Sequence, residues 1–339
     1  MRRPLVVAVV GATGLVGRTL LRLLEERSFP LTDLRLYASS DSDGKALIAC
    51  GRRCIVRSVR AAPVGQAGSP FSGSHVTFFA AGASVSRLHA RSAAAAGSLV
   101  IDKSAAFRLH ANVPLVVPEV NIAAAQGAAL IANPNCATIP LALALAPVAR
   151  AFGLSWVSAC TYQSVSGAGR AALAELEAQC AGADSVRVLP RRIAGNVFPE
   201  NGPFDADGNS EEEAKISAEL QKILGLPKLA VSATSVRVPV RIGHGEALSF
   251  GTLETTSLGR VREVLRSAPG LIFAEGDDYA APADVAGTDE VVVGRLRPDR
   301  AHPGAFMCWI ASDNLRKGAA TNAVQIAEAA LGVPLTSAK

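Results

Sequence analysis

Cysteine is scarce in this 339-residue chain: there are six, at positions 50, 54, 136, 160, 180 and 308, and only Cys50 and Cys54 are close together. That spacing is no disulfide framework, and no second pair or neighbouring histidine completes a zinc site, so no metal is expected. Long apolar runs are also missing. The longest begins after Asn135, contains Cys136, Thr138 and Pro140, and stops at Arg150, short of the roughly 20 residues that a bilayer requires. Charge of one sign is nowhere concentrated. The 34 basic residues exceed the 29 acidic ones by five, and the densest basic spots, Arg52-Arg53 and Arg191-Arg192, are pairs rather than runs. No nucleic-acid stripe is expected, whereas attraction of a small anionic substrate stays open. Two arginines precede the apolar run 5–10, as in a secretory leader, but the run enters a glycine-rich turn with no cleavage-type ending. A first β-strand is the better reading, in a soluble, reduced, cytoplasmic protein with no membrane partner.

What is present supports a large core. The chain is 49% hydrophobic and 19% charged, with mean hydropathy +0.28, which excludes a disordered or collagen-like chain. At about 150 residues per domain, the length fits two domains or one large α/β unit. Residues 5–10 (LVVAVV) form a continuous apolar run, as in a strand buried on both faces of a parallel sheet. An amphipathic helix follows, with Val16, Leu20, Leu23 and Leu24 on one side, Glu25, Glu26 and Arg27 closing the polar side, and Pro30 beyond. Further strands are expected at 34–38, 76–81 and 99–102, with a helix near 84–96. This alternation describes a doubly wound, Rossmann-like parallel sheet. The second half changes character. Longer strand-like runs at 156–163, 230–240, 246–255, 291–296 and 305–311, broken by helices near 210–224 and 259–267, fit a second, α+β domain. The expected division is 1–134 plus a returning helix in 314–339, and 135–313.

Three stretches carry chemistry. Gly11-x-x-Gly14-x-x-Gly17 follows the first strand and opens the first helix, where glycines permit a tight turn and a pyrophosphate can approach free helix N–H groups. Asn133-Pro134-Asn135-Cys136-Ala137-Thr138 precedes a helical run with Leu141, Leu145 and Val148 at i, i+4, i+7. Cys136 thus falls near a helix N-terminus, where the dipole favours thiolate, although a buried structural thiol remains the other reading. In the third, Val236, Val238 and Val240 take one face of a strand, leaving Arg237 on the other, and His244 follows a glycine where the strand breaks. Glu212 and Lys215, at i, i+3, share a helix face and alone read as a solvated ion pair.

Taken together, the stretches GATGLVG (11–17), SAAFR (104–108), VPLVVPEVN (113–121), NPNCATI (133–139), TYQSVSGAG (161–169), NVFP (196–199), RVPVRIGHGEAL (237–248), VGRLR (293–297) and SDNLRKGAATNAVQIAE (312–328) resemble the aspartate-β-semialdehyde dehydrogenase family. The resemblance spans nearly the whole chain, in family order. It implies a catalytic and dimerisation role for the second domain, a homodimer, and NADPH-dependent conversion of aspartyl phosphate to aspartate semialdehyde and phosphate in amino-acid biosynthesis. It also implies roles for particular residues. Cys136 would be the nucleophile, His244 the general acid/base, and Gln163 would orient the thioester. Arg237 would grip the substrate carboxylate, Glu212 would meet the amino group, Asn135 would line the pocket, and Arg108 and Lys215 would hold phosphate. The cofactor contacts would be Gly11, Thr13, Gly14, Leu15, Val16, Gly17, Ser39, Ser40, Ser166, Gly167 and Asn322.

This chain departs from the family pattern at several positions. Lys103 replaces an asparagine beside the phosphate region. Ala137 and Pro140 replace a serine and a glutamine. Ser40-Asp41-Ser42-Asp43 stands where an arginine usually reads the 2′-phosphate of NADP. An aspartate there would repel phosphate and suit a free 2′-hydroxyl, so NADP is expected with NAD also used. A sister N-acetyl-γ-glutamyl-phosphate reductase shares the chemistry, but its cysteine sits in a PGC context rather than PNC. Non-catalytic paralogues are a further alternative, against which Cys136, Gln163, Arg237 and His244 all stand.

Overall fold

The structure is a computed structural model that describes residues 4–59 and 69–333. Arg2, Arg3 and Pro334 lie outside the described residues. The chain divides into two compact units, one built from the residues up to Pro134 and from Ala319 onward, the other from Asn135–Gly318.

The first unit contains β1 (Leu5–Val10), α1 (Leu15–Glu26), β2 (Leu31–Ala38), β3 (Ala46–Ala49), β4 (Arg52–Ser58), β5 (Val76–Phe79), α2 (Ala83–Ala95), β6 (Leu99–Asp102), a single turn α3 (Pro118–Asn121) and β7 (Leu130–Ala132). Its sheet runs in the order β3-β4-β2-β1-β5-β6-β7 and is parallel except for the β3–β4 hairpin. Val7, Ala8, Val9 and Val10 are fully buried because β1 is central: Val7 pairs with Leu34 of β2 on one side and Val76 of β5 on the other. Strand order reverses at β1, so a crevice opens at the carboxyl ends of β1 and β5, the usual ligand position in such sheets. Arg27, expected on the polar side of α1, is instead 5% exposed. It is held by Glu328 of the last helix through two bonds of 3.0 and 2.7 Å. That helix (α8, Thr321–Ala330) adds Ala323, Val324, Ile326 and Ala327 to the core formed by Leu20, Leu23 and Leu24.

The second unit contains α4 (Thr138–Phe152), β8 (Trp156–Gln163), α5 (Arg170–Cys180), α6 (Glu211–Leu224), β9 (Ala230–Arg237), β10 (His244–Gly251), α7 (Leu258–Arg266), β11 (Leu271–Phe273), β12 (Val291–Pro298) and β13 (Ala305–Ser312). Its sheet order is β11-β12-β13-β10-β8-β9, mixed as expected: β8 pairs parallel with β9, while β10 lies antiparallel between β8 and β13. Strand β9 ends at Arg237 rather than at Val240, since Pro239 cannot donate to a ladder. The last helix, expected from 314, begins instead with a π-helical turn over Arg316–Ala320, the kind of bulge that collects at functional sites.

Candidate active site

The loop before α4 is built around Asn135. Its Oδ1 accepts from Ala137 N (2.8 Å), its carbonyl accepts from Thr138 N and Ile139 N (both 3.1 Å), and its own N–H donates to Glu219 Oε2 (2.6 Å). These bonds fix the tight turn that places Cys136 just ahead of the first turn of α4, at the positive end of the helix. Pro140 falls in that first turn, where a missing N–H costs little. Gly318 leaves room on the other side; a Cβ there would lie 3.1 Å from Cys136 Cβ.

Cys136 Sγ stands 3.4 Å from His244 Nε2. His244 opens β10 and is fully buried. Its Nδ1 faces Ser164, whose backbone N–H lies at 3.1 Å and whose hydroxyl lies at 3.2 Å. The hydroxyl proton goes to Asn314 Oδ1 (3.1 Å), so oxygen lone pairs are left for Nδ1. Asn314 Oδ1 is itself anchored by Gly243 N (2.9 Å) and Ser166 Oγ (3.2 Å). The backbone N–H supports a neutral ring that carries its proton on Nε2, and the hydroxyl oxygen supports a ring protonated at Nδ1. Proton transfer at Nε2 cycles the ring between imidazolium and the neutral form protonated at Nδ1, and in both of these the hydroxyl oxygen is the partner for the Nδ1 proton.

Arg237 is 7% exposed, and its Nη1 donates to Ser164 O (2.7 Å). Burial draws its pKa down, while the nearby Glu212 and Cys136 push it back up. Glu212 Oε1 accepts from Asn135 Nδ2 (2.8 Å) and Gln163 Nε2 (3.1 Å), and among the described residues no hydrogen bond reaches Oε2. The expected Glu212–Lys215 pair does not form. Lys215 Nζ instead meets Glu211 Oε1 at 2.6 Å, the i, i+4 geometry with the acid on the N-terminal side, because Glu212 is drawn inward by two amide donors. Gly167 keeps space beside the guanidinium: a Cβ would come 3.0 Å from Arg237 Nη1 and 3.5 Å from His244 Cε1, so a side chain there would press on Arg237. Cys136, Gln163, Glu212, Arg237 and His244 thus converge, and Ser166 and Gly167 lie beside them. Ser164, Asn314 and Glu219 were missed because they are ordinary residues whose importance comes only from where the fold puts them, although Ser164 and Asn314 sit inside recognised motifs. Two other thiols are unsuited to chemistry, since burial pushes Cys308 up to about 12 and Cys50 up to about 11.

In the first unit, Gly11 has φ +91° and a Cβ there would stand 2.5 Å from Ala80 O; at Gly17 it would stand 2.1 Å from Gly11 O. Gly11 N and Ala12 N donate to Tyr37 O, and Gly14 caps α1, with Thr13 before it and Leu15 and Val16 in the first turn. A cavity of about 460 Å³ opens at the strand ends, lined among others by Val10, Ala38, Ser39, Ser40, Ala81 and His89. A glycine cradle leading to a half-apolar cleft with serine hydroxyls fits a dinucleotide. Asp43 is already committed, accepting from Ser58 N (2.8 Å), whereas Asp41 is exposed. Asn322 is fully buried and donates to Val116 O (3.0 Å) and Asn133 Oδ1 (2.8 Å). Arg108 is 7% exposed, with bonds to Asn133 O (3.0 Å) and Lys103 O (2.7 Å). Among the described residues no helix is long and apolar enough to cross a membrane.

A glycine turn of the nucleotide-binding kind in one unit, and a thiol–imidazole pair beside a buried guanidinium in the other, fit an NAD(P)-dependent oxidoreductase. Known sequences and structures agree. The family described as "Semialdehyde dehydrogenase, NAD binding domain" matches residues 6–128, and "Semialdehyde dehydrogenase, dimerisation domain" matches 145–317. Aspartate-semialdehyde dehydrogenases of Aquifex aeolicus and Shewanella violacea are each 43% identical to this chain, over 95% of it and 96% of their own lengths. The crystal structure of aspartate semialdehyde dehydrogenase II complexed with ASA from Vibrio cholerae has a TM-score of 0.92 and 39% identity, covering 97% of this chain and 98% of that one. The chain belongs to the aspartate-semialdehyde dehydrogenase family.

Proposed function

We propose that this chain reduces aspartyl 4-phosphate to aspartate 4-semialdehyde with release of phosphate, in lysine, threonine, methionine and diaminopimelate biosynthesis. The observation that carries this reading is the 3.4 Å contact between Cys136 Sγ and His244 Nε2 beside the buried guanidinium of Arg237. The thiolate of Cys136 attacks the acyl carbon, a carbon–sulfur bond forms, the carbon–oxygen bond to phosphate breaks, and a thioester remains on the protein. When bound, the nicotinamide cofactor supplies the hydride that brings this carbon to the aldehyde level. His244 gives a proton at Nε2 to the substrate oxygen, then takes it back as the carbon–sulfur bond breaks and the aldehyde leaves. In both states of that cycle Nδ1 carries its proton and donates to the Ser164 hydroxyl oxygen. Arg237 grips the substrate carboxylate with its planar fork, Glu212 Oε2 takes the ammonium, and Gln163 and Asn135 hold Glu212 in place. Arg108 and Lys215 take the phosphate, Lys215 exchanging its bond to Glu211 for the substrate.

The cofactor reading is NADP with measurable use of NAD. Ser39 and Ser40 line the cleft, the Ser40 hydroxyl now donating to Asp41 Oδ1 (3.4 Å), and Asp43 accepts from Ser58 N. The working form is a cytoplasmic homodimer joined through the second unit. The sister phosphorylated-glutamate reductase reading is weaker because Glu212 has an oxygen ready for an ammonium, which an acetylated amine cannot supply. The test is reduction of aspartyl phosphate, or phosphate-dependent oxidation of the semialdehyde, by the wild type and by Cys136→Ser. The serine variant should retain less than about a hundredth of the turnover while keeping its fold and nucleotide affinity. A serine variant above that level, or a wild type inactive on this substrate, overturns the reading.

A further inference from the structure

Strand β10 sends His244, Glu246, Leu248 and Phe250 to its buried face, each no more than 1% exposed. The register places Ser312 of β13 opposite His244, with Ile310 opposite Glu246 and Cys308 opposite Leu248. From the other side β8 sets Thr161 opposite Glu246. Among the described residues both carboxyl oxygens of Glu246 and the hydroxyl of Ser312 are buried without a hydrogen-bond partner. Three orphaned polar atoms thus belong to neighbouring positions on the same sheet face as His244. The substrate chemistry described above uses none of them.

Orphaned buried polar groups are costly and are normally satisfied by an internal water that makes two to four bonds. One water against Glu246 and Ser312 meets that count. The charge state follows from the surroundings. Among the described residues the register puts His244 on the same strand and Cys308 on β13 on this face; burial pushes the Cys308 thiol up to about 12, with Arg297 of β12 acting against it. Thr161, Ser312, Ile310 and Leu248 are uncharged. Burial alone drives the Glu246 carboxyl far above the usual carboxylate range, with no cation to oppose it. Glu246 and His244 are two residues apart on a strand, about 7 Å. A carboxylate there would hold the imidazole protonated; a neutral acid leaves it free to cycle.

We propose that Glu246, Ser312 and one internal water form an uncharged polar socket that backs His244, in which Glu246 is a protonated positioning residue rather than a counter-ion of the imidazole. The inference rests on the Cys136–His244 pairing of the proposed function, but its tests need no substrate turnover, so the two can fail separately.

Infrared spectra of the wild type at pH 7 to 8 should show the carbonyl stretch of a protonated carboxylic acid, and Glu246→Gln should remove that band. The pH dependence of Cys136 alkylation by iodoacetamide should move by less than about 0.3 units in Glu246→Gln, because one neutral group replaces another. Removal of a carboxylate about 7 Å away would move it by about one unit or more. The folded chain holds this proton while the unfolded chain releases it, so wild-type stability should fall relative to Glu246→Gln as pH rises above the ordinary carboxylate range. A crystal structure should show a water touching Glu246 and Ser312 that is lost in Ser312→Ala. An absent acid band at neutral pH, an alkylation profile displaced by a unit, or a dry socket in the crystal overturns the proposal. Should Glu246→Gln fold poorly, the infrared spectrum of the wild type and the Ser312→Ala crystal still decide it.

Discussion

Ser164 meets His244 Nδ1 with two atoms of opposite character, a backbone N–H at 3.1 Å and a hydroxyl at 3.2 Å whose proton is already given to Asn314. The consequence is testable by removing only the second. Ser164→Ala keeps the backbone bond, which holds the proton on Nε2, and deprives the Nδ1-protonated ring of its partner. It should lower kcat by about ten- to a hundredfold with little change in KM, and move the pH–rate profile. Steady-state kinetics across pH checks this, and an unchanged profile would show that the hydroxyl is idle.

Arg237→Lys should raise KM for the amino-acid substrate at least about tenfold, since an ammonium cannot form two parallel bonds to a carboxylate. It also breaks the 2.7 Å bond to Ser164 O, so a loss in kcat should accompany it. The KM for phosphate should change much less. A dominant effect on phosphate would assign Arg237 to the other anion.

The nucleotide choice turns on Asp41, because Asp43 is bonded to Ser58 N. Asp41→Arg should raise the ratio of kcat/KM for NADP over NAD, replacing an exposed repulsion of about 1 kcal/mol with an attraction of similar size. In the wild type the ratio should stay below roughly a thousandfold, each 1.4 kcal/mol being tenfold. An unchanged ratio in the variant would put Asp41 outside the ribose site.

Arg27→Ala should destabilise the first unit by about 3–5 kcal/mol, because Glu328, 1% exposed, would be left as a buried charge without its bidentate partner. The double replacement Arg27→Met with Glu328→Leu should recover most of that loss. Denaturant unfolding of the three proteins measures both.

The parts that were legible in the sequence follow from periodicity. The run 5–10 is the buried central strand, 156–163 and 99–102 match β8 and β6 residue for residue, and the glycine turn lies between β1 and α1. The hairpin β3–β4 escaped because it is an edge: Arg52, Arg53 and Arg57 face solvent, and no apolar alternation marks a strand that buries so little. The three-residue strands β7 and β11 are too short to leave a period. At the site, Cys136, Arg237 and His244 were legible through motif and placement. Their supports were not. The Glu212–Lys215 spacing suggested a pair that tertiary donors from Asn135 and Gln163 dissolve, and the burial of Arg27 depends on a helix almost three hundred residues away.

The first unit is discontinuous, and this bears on its birth at the ribosome. Residues 135 to 318, 184 in all, are made before α8 can supply Ala323, Val324, Ile326 and Ala327 to the core or Glu328 to Arg27. At roughly 5–20 residues per second, that leaves the nascent amino-terminal sheet with an uncovered apolar side for about ten to forty seconds. The inserted unit has all its strands by then and can fold first. The last helix therefore closes the chain as a late latch, and a ribosome stalled beyond residue 134 would leave that exposed side to chaperones.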